Sequence, residues 1–186
     1  MLYNIEVNNT INDEVIVDEN IQKVVDSYFK IKDYILENNP SLLDDLNKFK
    51  YDQKTGLLNR VGYFIEIHKQ KVKNTNRAII FFDADFMHDV NEEYSYDFVD
   101  KYLIEIGKSF KKHIRFEKKG DRGVDILGYD DVNTIFHRKN DSAGDEFILN
   151  IECNKKDYKI AKNIAKRYLN YMYDAQRNLS KKLNLF

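Results

Sequence analysis

The chain has 186 residues, which is enough for one hydrophobic core with a small additional segment but too few for two full domains. Hydrophobic residues make up 42% of it and charged residues 33%, a balance that excludes an intrinsically disordered chain. Its 30 Lys and Arg residues against 31 Asp and Glu leave a net charge of −1, so no general electrostatic attraction for nucleic acid or for an anionic membrane is expected.

Cysteine content and apolar run length predict a cytoplasmic protein. Cys153 is the one cysteine, which excludes an internal disulfide and a cysteine-based zinc cluster. The longest apolar run, residues 78–82, is far shorter than the roughly 20 residues needed to span a bilayer. The first residues are too polar and too acidic for a secretory signal peptide. We therefore expect no membrane span and a location in the cytoplasm.

The region before residue 50 is predicted to be a helical appendage. Apolar residues from Ile21 to Ile35 recur at helical spacing, which predicts an amphipathic helix over roughly residues 20–37. Pro40 ends that helix, and Ser41 can cap a short second one. We place a boundary near residue 50, so that residues 1–49 form the N-terminal helical appendage. Packing onto its own domain and a role in dimerisation or regulation are equally consistent with this pattern.

Helices and strands alternate in residues 50–186, the main predicted domain. Helices are predicted over residues 59–73, 96–114 and 155–182. Strands are predicted over residues 77–85, 134–139 and 147–152, and the glycine-rich, charged residues 117–132 are predicted to form an exposed loop. The order βαββα from the first strand onward predicts an α+β fold, with helices packed on one side of a central sheet.

Two aspartates mark the end of the first predicted strand. Alternation along a strand places Asp83 and Asp85 on the same face, with Ala84 on the other. Two carboxylates so close together repel each other unless a cation lies between them. Magnesium prefers such oxygen ligands and is commonly bound together with phosphates. Taken alone, the motif is better explained by acidic residues that simply end a strand.

A second acidic motif lies in the predicted turn between the last two strands. The small pair Ala143 and Gly144 allows a close approach of backbone or phosphate, and Asp145 and Glu146 follow at the tip of the hairpin. If this hairpin lies beside the strand that ends at Asp83, the acidic residues form an oxygen site for two metal ions. In isolation, the turn is better interpreted as an ordinary hairpin.

Read in order, the chain contains DQKTGLLNR at residues 52–60, DADF at 83–86, Asn91, Asp100, and AGDEF at 143–147. Together these blocks closely resemble the GGDEF family of nucleotidyl cyclases, which includes the diguanylate cyclases. The resemblance covers roughly residues 50–172 and preserves the order and approximate spacing of the blocks. It implies a palm-like central sheet flanked by helices, in agreement with the βαββα order.

The resemblance also implies roles for individual residues. Asp83, Asp145 and the Ala84 carbonyl would hold Mg²⁺ or Mn²⁺, with Glu146 as a further catalytic residue beside them. The nucleotide would contact Phe86, Met87, His88, Asn91, Asp100, Leu103, Ala143 and Gly144.

Guanine recognition is the most specific of these implied roles. Asn91 and Asp100 match the pair that binds guanine in the family. A carboxylate can accept hydrogen bonds from both guanine N1–H and the exocyclic amine, whereas adenine has no such edge. The alternatives are a helix cap for Asn91, a solvated helix position for Asp100, and plain core positions for Phe86 and Leu103.

The chain departs from the family pattern at several positions. Met87 and His88 stand where Phe and Lys are usual, and a neutral histidine contacts phosphate less strongly than an ammonium. Ala143 replaces the first glycine of the signature, and Ser95 followed by Tyr96 replaces a Gly-His pair.

Further departures affect the C-terminal part and product feedback. Family members usually continue into another helix, a strand pair and a last helix that carries phosphate-binding Lys and Arg. Here Arg177, Lys181 and Lys182 are candidate substitutes. Thr134 and His137 occupy the positions of the Arg-x-x-Asp feedback site, which we therefore expect to be absent.

The resemblance implies a Mg²⁺-dependent enzyme that condenses two GTP molecules into cyclic di-GMP with release of pyrophosphate. Each site would bind one nucleotide, so a homodimer is expected to close the ring. Two alternatives stay open: a degenerate domain that binds GTP or a related nucleotide without turnover, and a related synthase of another cyclic oligonucleotide on the same fold.

Overall fold

The structure, a computed structural model, describes residues 3–8, 19–71, 77–84, 92–114, 125–130, 146–152 and 158–182. The strands in these segments are β1 (Tyr3–Asn8), β2 (Arg77–Ala84), β3 (Ile126–Asp130) and β4 (Glu146–Glu152). The helices are α1 (Glu19–Asn38), a 3₁₀ turn (Pro40–Leu42), α2 (Leu43–Lys48), α3 (Arg60–Lys71), α4 (Tyr96–His113) and α5 (Tyr158–Lys182).

The strands form one four-stranded antiparallel sheet in the order β1-β2-β4-β3. The described elements β2, α4, β3, β4 and α5 follow one another in the order βαββα, but β3 lies within residues 117–132, not at residues 134–139 where the second strand was predicted. The fold is therefore α+β, with a central sheet flanked by helices. None of the described helices combines the length and the apolar character that a membrane span requires.

One side of the sheet, here called the aromatic face, is covered by α4 and α5. Strand alternation directs Ile80 and Phe82 of β2 toward this side, where they join the larger of two hydrophobic clusters. The rings of Phe82, Phe110 and Tyr168 lie with their centroids 5.0–6.0 Å apart. Phe110 is fully buried among them. This face supplies the main hydrophobic core.

The opposite side, here called the N-terminal face, is covered by α1 and α3. Ile21, Val25 and Tyr28 of α1 pack with Tyr63 of α3 and with Ile79 of β2 in a second cluster. The expectation that helices cover one side of the sheet is therefore wrong. The βαββα segment does place α4 and α5 on one side, but the sheet's other apolar side is buried by helices that precede β2.

Strand β1 belongs to the region that was predicted to be helical. It pairs with β2 in antiparallel register, so that Tyr3 lies opposite Ala84 and Asn8 opposite Ile79. A period of two is visible in its sequence, YNIEVN, but six residues of alternation are too short to separate a strand from a loop. Residues before position 50 thus contribute both a strand and a helix to the structure around the central sheet.

Strand β3 corrects the loop predicted over residues 117–132. Ile126, Leu127 and Tyr129 are buried on the sheet. Gly128 lies so close to the N-terminal face that an added Cβ would be 3.0 Å from Ile148 and 3.1 Å from Tyr63. Glycine among charged residues is typical of a loop, whereas here Gly128 permits close packing in a strand. The strand predicted over residues 134–139 lies outside the described residues.

Candidate functional site

The two acidic motifs meet at one end of the sheet. Asp83, near the end of β2, lies directly opposite Glu146, the first residue of β4. The same row continues to Asp130, the last residue of β3, which also pairs with Glu146. Three acidic residues from separate parts of the sequence therefore occupy one row across three adjacent strands. The condition set for a shared oxygen site, that the two motif segments lie side by side, is met at the level of the backbone.

Asp130 was not singled out from the sequence. It ends the run ILGYD in the same way that Asp83 and Asp85 follow the apolar residues of β2. An apolar run that becomes acidic was thus a usable signal at both strands. It was missed because Gly128 and the neighbouring charges favoured a loop.

The donor chemistry of this sheet end fits a hard divalent cation, because carboxylate oxygens are the ligands that Mg²⁺ prefers. Glu146 is half-buried at the head of β4. For Asp83 and Ala84, the structure describes the backbone, which belongs to β2, and not the side chains. Within the part of the chain whose side chains are described, no group of three or more His, Cys, Asp or Glu residues could hold a metal ion.

Several predicted site residues lie outside the described residues. They are Phe86, Met87, His88, Asn91, Ala143, Gly144 and Asp145. Asp85, Thr134 and His137 lie outside them as well. Their assigned roles stay predictions.

Asp100 and Leu103 are both described, and their environments differ. Leu103 is buried in the hydrophobic cluster of the aromatic face. Asp100 lies near the start of α4 with its side chain 47% exposed. Its carboxylate oxygen Oδ1 accepts a hydrogen bond from the Lys54 ammonium at 2.6 Å. The residue predicted to contact guanine is therefore held by a cation from another motif block.

Lys54 projects from a tight turn at residues 51–58, here called the docking turn. Asp52 Oδ1 accepts hydrogen bonds from the Thr55 amide and from the Thr55 hydroxyl, both at 2.6 Å. The Gly56 amide donates to the Asp52 carbonyl at 2.8 Å. Gly56 has φ of +65°, a conformation that favours glycine. The motif DQKTG thus folds into a turn whose internal hydrogen bonds fix the position of Lys54.

The docking turn packs between α4 and β3. On the α4 side, a Cβ added at Gly107 would lie 2.7 Å from the Thr55 carbonyl oxygen, so glycine is required for this close approach. On the β3 side, the Tyr129 amide donates to the Leu58 carbonyl at 2.9 Å. The turn therefore joins α4 to β3 through Thr55 and Leu58.

Helix α4 begins at a strained residue. Ser95 has φ of 115°, and its hydroxyl accepts a hydrogen bond from the Phe98 amide as an N-cap. A positive φ is a conformation that glycine adopts readily and that L side chains rarely adopt. The family's glycine at this position, replaced here by serine, fits this backbone conformation. Next to it, the rings of Tyr94 and Phe98 stack with centroids 5.0 Å apart.

The basic residues of α5 are partly held by acidic neighbours. Arg177 pairs with Asp174 on the same helix, and Lys182 donates to Glu105 of α4 at 3.1 Å. Burial raises the pKa of Glu105, but hydrogen bonds from Lys108 and Lys182 outweigh it and lower the pKa below the ordinary value.

A cavity of about 830 Å³ runs along α5 and is lined in part by Arg177 and Lys181. Nothing in the described structure connects these cations to Asp83. Their role as phosphate ligands stays a prediction.

Comparison with protein-family models finds no match, and comparison with curated proteins finds none either. Comparison with solved structures does find similar chains. One is a sensory box/GGDEF family protein from Caulobacter crescentus CB15, 19% identical, with 66% of this chain and 69% of that chain covered and a TM-score of 0.49.

Two further structures are similar. Diguanylate cyclase SiaD from Pseudomonas aeruginosa, solved with its activator SiaC, is 20% identical over 84% of this chain and 54% of its own, with a TM-score of 0.45. A diguanylate cyclase/phosphodiesterase from Caldicellulosiruptor saccharolyticus is 19% identical over 68% of this chain and 65% of its own, also with a TM-score of 0.45. This chain thus spans between 54% and 69% of the length of these three neighbours. All three neighbours are GGDEF-family or diguanylate cyclase proteins.

Proposed function

We propose that the chain is a GGDEF-type nucleotidyl cyclase, which condenses two GTP molecules into cyclic di-GMP in a Mg²⁺-dependent reaction. The observation that carries this proposal is the register of β2 and β4, in which Asp83 lies opposite Glu146. That pairing brings the DAD block and the AGDE block to one end of the sheet. Carboxylates placed side by side repel one another unless a cation lies between them, and this favours a metal site over residues that only terminate strands.

The proposed reaction consists of two equivalent displacements. In each, a ribose 3′-oxygen forms a bond to the α-phosphorus of the other GTP, and the bond from that phosphorus to the bridging oxygen of the β-phosphate breaks. The 3′-hydroxyl loses its proton and pyrophosphate leaves, so two GTP give one cyclic di-GMP and two pyrophosphates. Glu146 is half-buried at the first position of β4. We assign its carboxylate as the group that accepts the proton of the 3′-hydroxyl.

The acidic residues at the sheet end suit this chemistry. Asp83, Asp145 and the Ala84 carbonyl would hold Mg²⁺ or Mn²⁺. A bound divalent ion would lower the pKa of the attacking hydroxyl and neutralise charge on the phosphates. Asn91 and Asp100 would bind the Watson–Crick edge of guanine, for which a carboxylate provides the matching acceptors.

The test is incubation of the full chain with GTP, ATP, CTP or UTP in the presence of Mg²⁺, followed by chromatographic separation of the products. GTP should give cyclic di-GMP and pyrophosphate in a ratio of one to two. Asp83→Asn should abolish product, as should Glu146→Gln, with unchanged circular dichroism. Asp45→Asn is the matched control, since this exposed carboxylate on α2 pairs with Lys48. Undiminished turnover in Asp83→Asn would overturn the metal assignment.

A second candidate function is a GGDEF-type domain that binds GTP without turnover. The Lys54–Asp100 hydrogen bond favours reduced turnover, because a carboxylate proposed to position the base is already paired with a cation. Met87 and His88, which replace the usual Phe and Lys, favour it as well. Measurable GTP affinity with no product in the same assay would identify this function. Product from another nucleotide would instead identify a related oligonucleotide synthase.

The proposed ring closure needs two subunits, and α1 offers a surface for pairing. Val24, Ile31 and Tyr34 are exposed at 40%, 48% and 67%, although the helix packs its other side on α3. Val24 and Ile31 are seven residues apart and therefore lie on one side of the helix. We expect Ile31→Lys to convert a dimer to a monomer in light scattering. Asp33→Lys, on a different side of the same helix, is the control and should leave the dimer unchanged.

A further inference from the structure

We propose that Lys54 is a specificity-determining residue: it competes with guanine for the Asp100 carboxylate and thereby reduces the preference of the site for GTP over ATP. This inference rests on the proposed function, because it assumes that Asp100 contacts the base. The structural observation is the hydrogen bond of 2.6 Å between Lys54 Nζ and Asp100 Oδ1. The two residues are 46 positions apart, so the tertiary fold makes this contact.

Lys54 is better placed for this role than an ordinary surface lysine. Its backbone belongs to the docking turn, where Asp52 accepts two hydrogen bonds from Thr55 and one from the Gly56 amide. An anchored backbone reduces the conformational entropy that the side chain loses when it pairs. The Lys54 side chain therefore extends toward Asp100 from a backbone whose position is fixed.

The distance from this turn to Asp100 is set by helix packing. Gly107 lies two turns after Asp100 on α4, and its missing side chain lets the Thr55 carbonyl approach the helix closely. Because the turn contacts α4 directly, Lys54 and Asp100 are held on one surface of that helix. The contact between the docking turn and α4 therefore brings Lys54 and Asp100 together.

The chemistry of the pair bears directly on base selection. A free carboxylate offers acceptors alone, which match the N1–H and exocyclic amine of guanine but not the edge of adenine. A carboxylate with an ammonium beside it offers an acceptor and a donor. Adenine presents the complementary set, a donor at N6 and an acceptor at N1. By pairing with Asp100, Lys54 therefore lowers the selectivity of that carboxylate for guanine over adenine.

The exposure of the pair limits the size of the effect. The side chains of Lys54 and Asp100 are 41% and 47% exposed, and ion pairs of this kind are weak and screened by salt. Competition from Lys54 should therefore weaken GTP binding by about two- to five-fold.

The experiment compares the wild-type chain with Lys54→Met, which keeps the aliphatic side chain and removes the ammonium. Dissociation constants for GTP, ITP and ATP are measured with Mg²⁺ by titration calorimetry. We expect Lys54→Met to bind GTP about two- to five-fold more tightly and ATP no more tightly, so that the GTP/ATP preference rises. The gain for ITP should be smaller than for GTP, since hypoxanthine lacks the exocyclic amine.

Lys101→Met is the matched control. Lys101 pairs with Asp97 at 2.5 Å on the same helix, and its side chain is 50% exposed. Its loss changes the net charge equally but leaves Asp100 untouched, so the GTP/ATP preference should not change. Between about 0.05 M and about 0.5 M salt, the advantage of Lys54→Met over wild type should shrink, because salt screens the ion pair. An unchanged or lower preference in Lys54→Met would overturn the inference.

Asp100→Asn separates this inference from the proposed function. If Asp100→Asn weakens GTP binding while Lys54→Met leaves it unchanged, the base contact stands and the role of Lys54 is refuted. If Asp100→Asn has no effect on a measurable GTP affinity, the assumed base contact is wrong and the inference falls with it. If the wild-type chain binds no nucleotide, the proposed function itself is refuted.

Discussion

The two faces of the sheet bury different kinds of side chain. The aromatic face joins Phe82, Phe110 and Tyr168 to aliphatic residues of α4 and α5. The N-terminal face also buries apolar residues, but polar groups lie within it or at its border. The Asn150 amide donates to the Tyr63 hydroxyl at 3.4 Å, and Arg77 donates to Asn150. Burial raises the pKa of Tyr63.

This difference has an energetic consequence. Apolar packing on the aromatic face is cooperative but not directional. Its contribution to stability therefore depends on how completely side-chain volume fills the core. Polar groups on the N-terminal face depend on specific partners, because a buried group that loses its partner costs more than the pair contributes. The N-terminal face is also where α1, with its exposed apolar surface, is attached. We therefore expect the aromatic face to dominate stability and the N-terminal face to be more sensitive to pairing and pH.

The largest effect is expected from Phe110→Ala on the aromatic face. Phe110 is fully buried and its ring contacts those of Phe82, Phe147 and Tyr168. Removing it should lower the free energy of unfolding by about 3–5 kcal/mol. Urea unfolding monitored by circular dichroism measures this change.

Phe49→Ala is the control for that substitution, because Phe49 is 55% exposed. It should change the free energy of unfolding by less than about 0.5 kcal/mol. Similar losses from the two substitutions would contradict the assignment of the main core to the aromatic face.

The next largest effect is expected from Lys50→Met beside the N-terminal face. The Lys50 side chain is only 8% exposed and donates to Glu66 Oε1 at 3.1 Å. Its loss leaves Glu66 with Lys69 as a cationic partner at 2.7 Å and should cost about 1–3 kcal/mol. Thermal and urea unfolding both report the change.

A double substitution tests whether the pair itself causes that loss. Lys50→Met combined with Glu66→Gln should cost less than the sum of the two single substitutions, because no carboxylate is then left underpaired. Strict additivity would show that Lys50 contributes through packing alone.

A smaller effect is expected on acidification, again beside the N-terminal face. Burial raises the pKa of Glu66, but the hydrogen bond from Lys69 and the charge of Lys50 outweigh it, so the pKa is lowered. In the unfolded chain the carboxyl binds its proton at higher pH than in the folded chain, so its contribution is present above the unfolded pKa. That contribution should be lost as the pH falls through the lowered pKa of the folded state.

Urea unfolding at a series of pH values below neutrality measures this dependence. Glu66→Gln should flatten the acid side of the stability profile, while Glu37→Gln, which alters an exposed residue of α1, should not. Equal profiles for wild type and Glu66→Gln would contradict the assignment.

The smallest effect is expected from Ser95→Gly, where α4 begins. Glycine removes the strain of φ at 115° but loses the cap that the Ser95 hydroxyl provides to the Phe98 amide. Relief of strain is worth about 1–3 kcal/mol, and loss of the cap together with greater freedom in the unfolded chain offsets about 1 kcal/mol of it. We expect a net stabilisation of about 0–2 kcal/mol, measured as a higher melting temperature. Ser95→Ala, which loses the cap and keeps the strain, should be destabilised instead.

The acidic motifs illustrate how far the site could be predicted from sequence. The apolar patterns before Asp83 and after Glu146 predicted two strands, but that these strands are neighbours was only a condition until the structure gave their register. Asp130 was missed because Gly128 in its strand is typical of a loop, although the structure uses this glycine for close packing. The partner of Asp100 was missed because nothing local in the sequence relates Lys54 to a helix 46 residues away.

The sequence alone determined the features that depend on neighbours along the chain. Helical periodicity gave α1, α4 and α5 to within a few residues, and the apolar run ending in Asp83 gave β2. Tertiary structure decided which surfaces are paired: β1 along β2, α1 and α3 on the second side of the sheet, and Lys54 on Asp100. The physical reason is that local patterns specify which side of an element is apolar, whereas its partner is selected by packing among residues far apart in sequence.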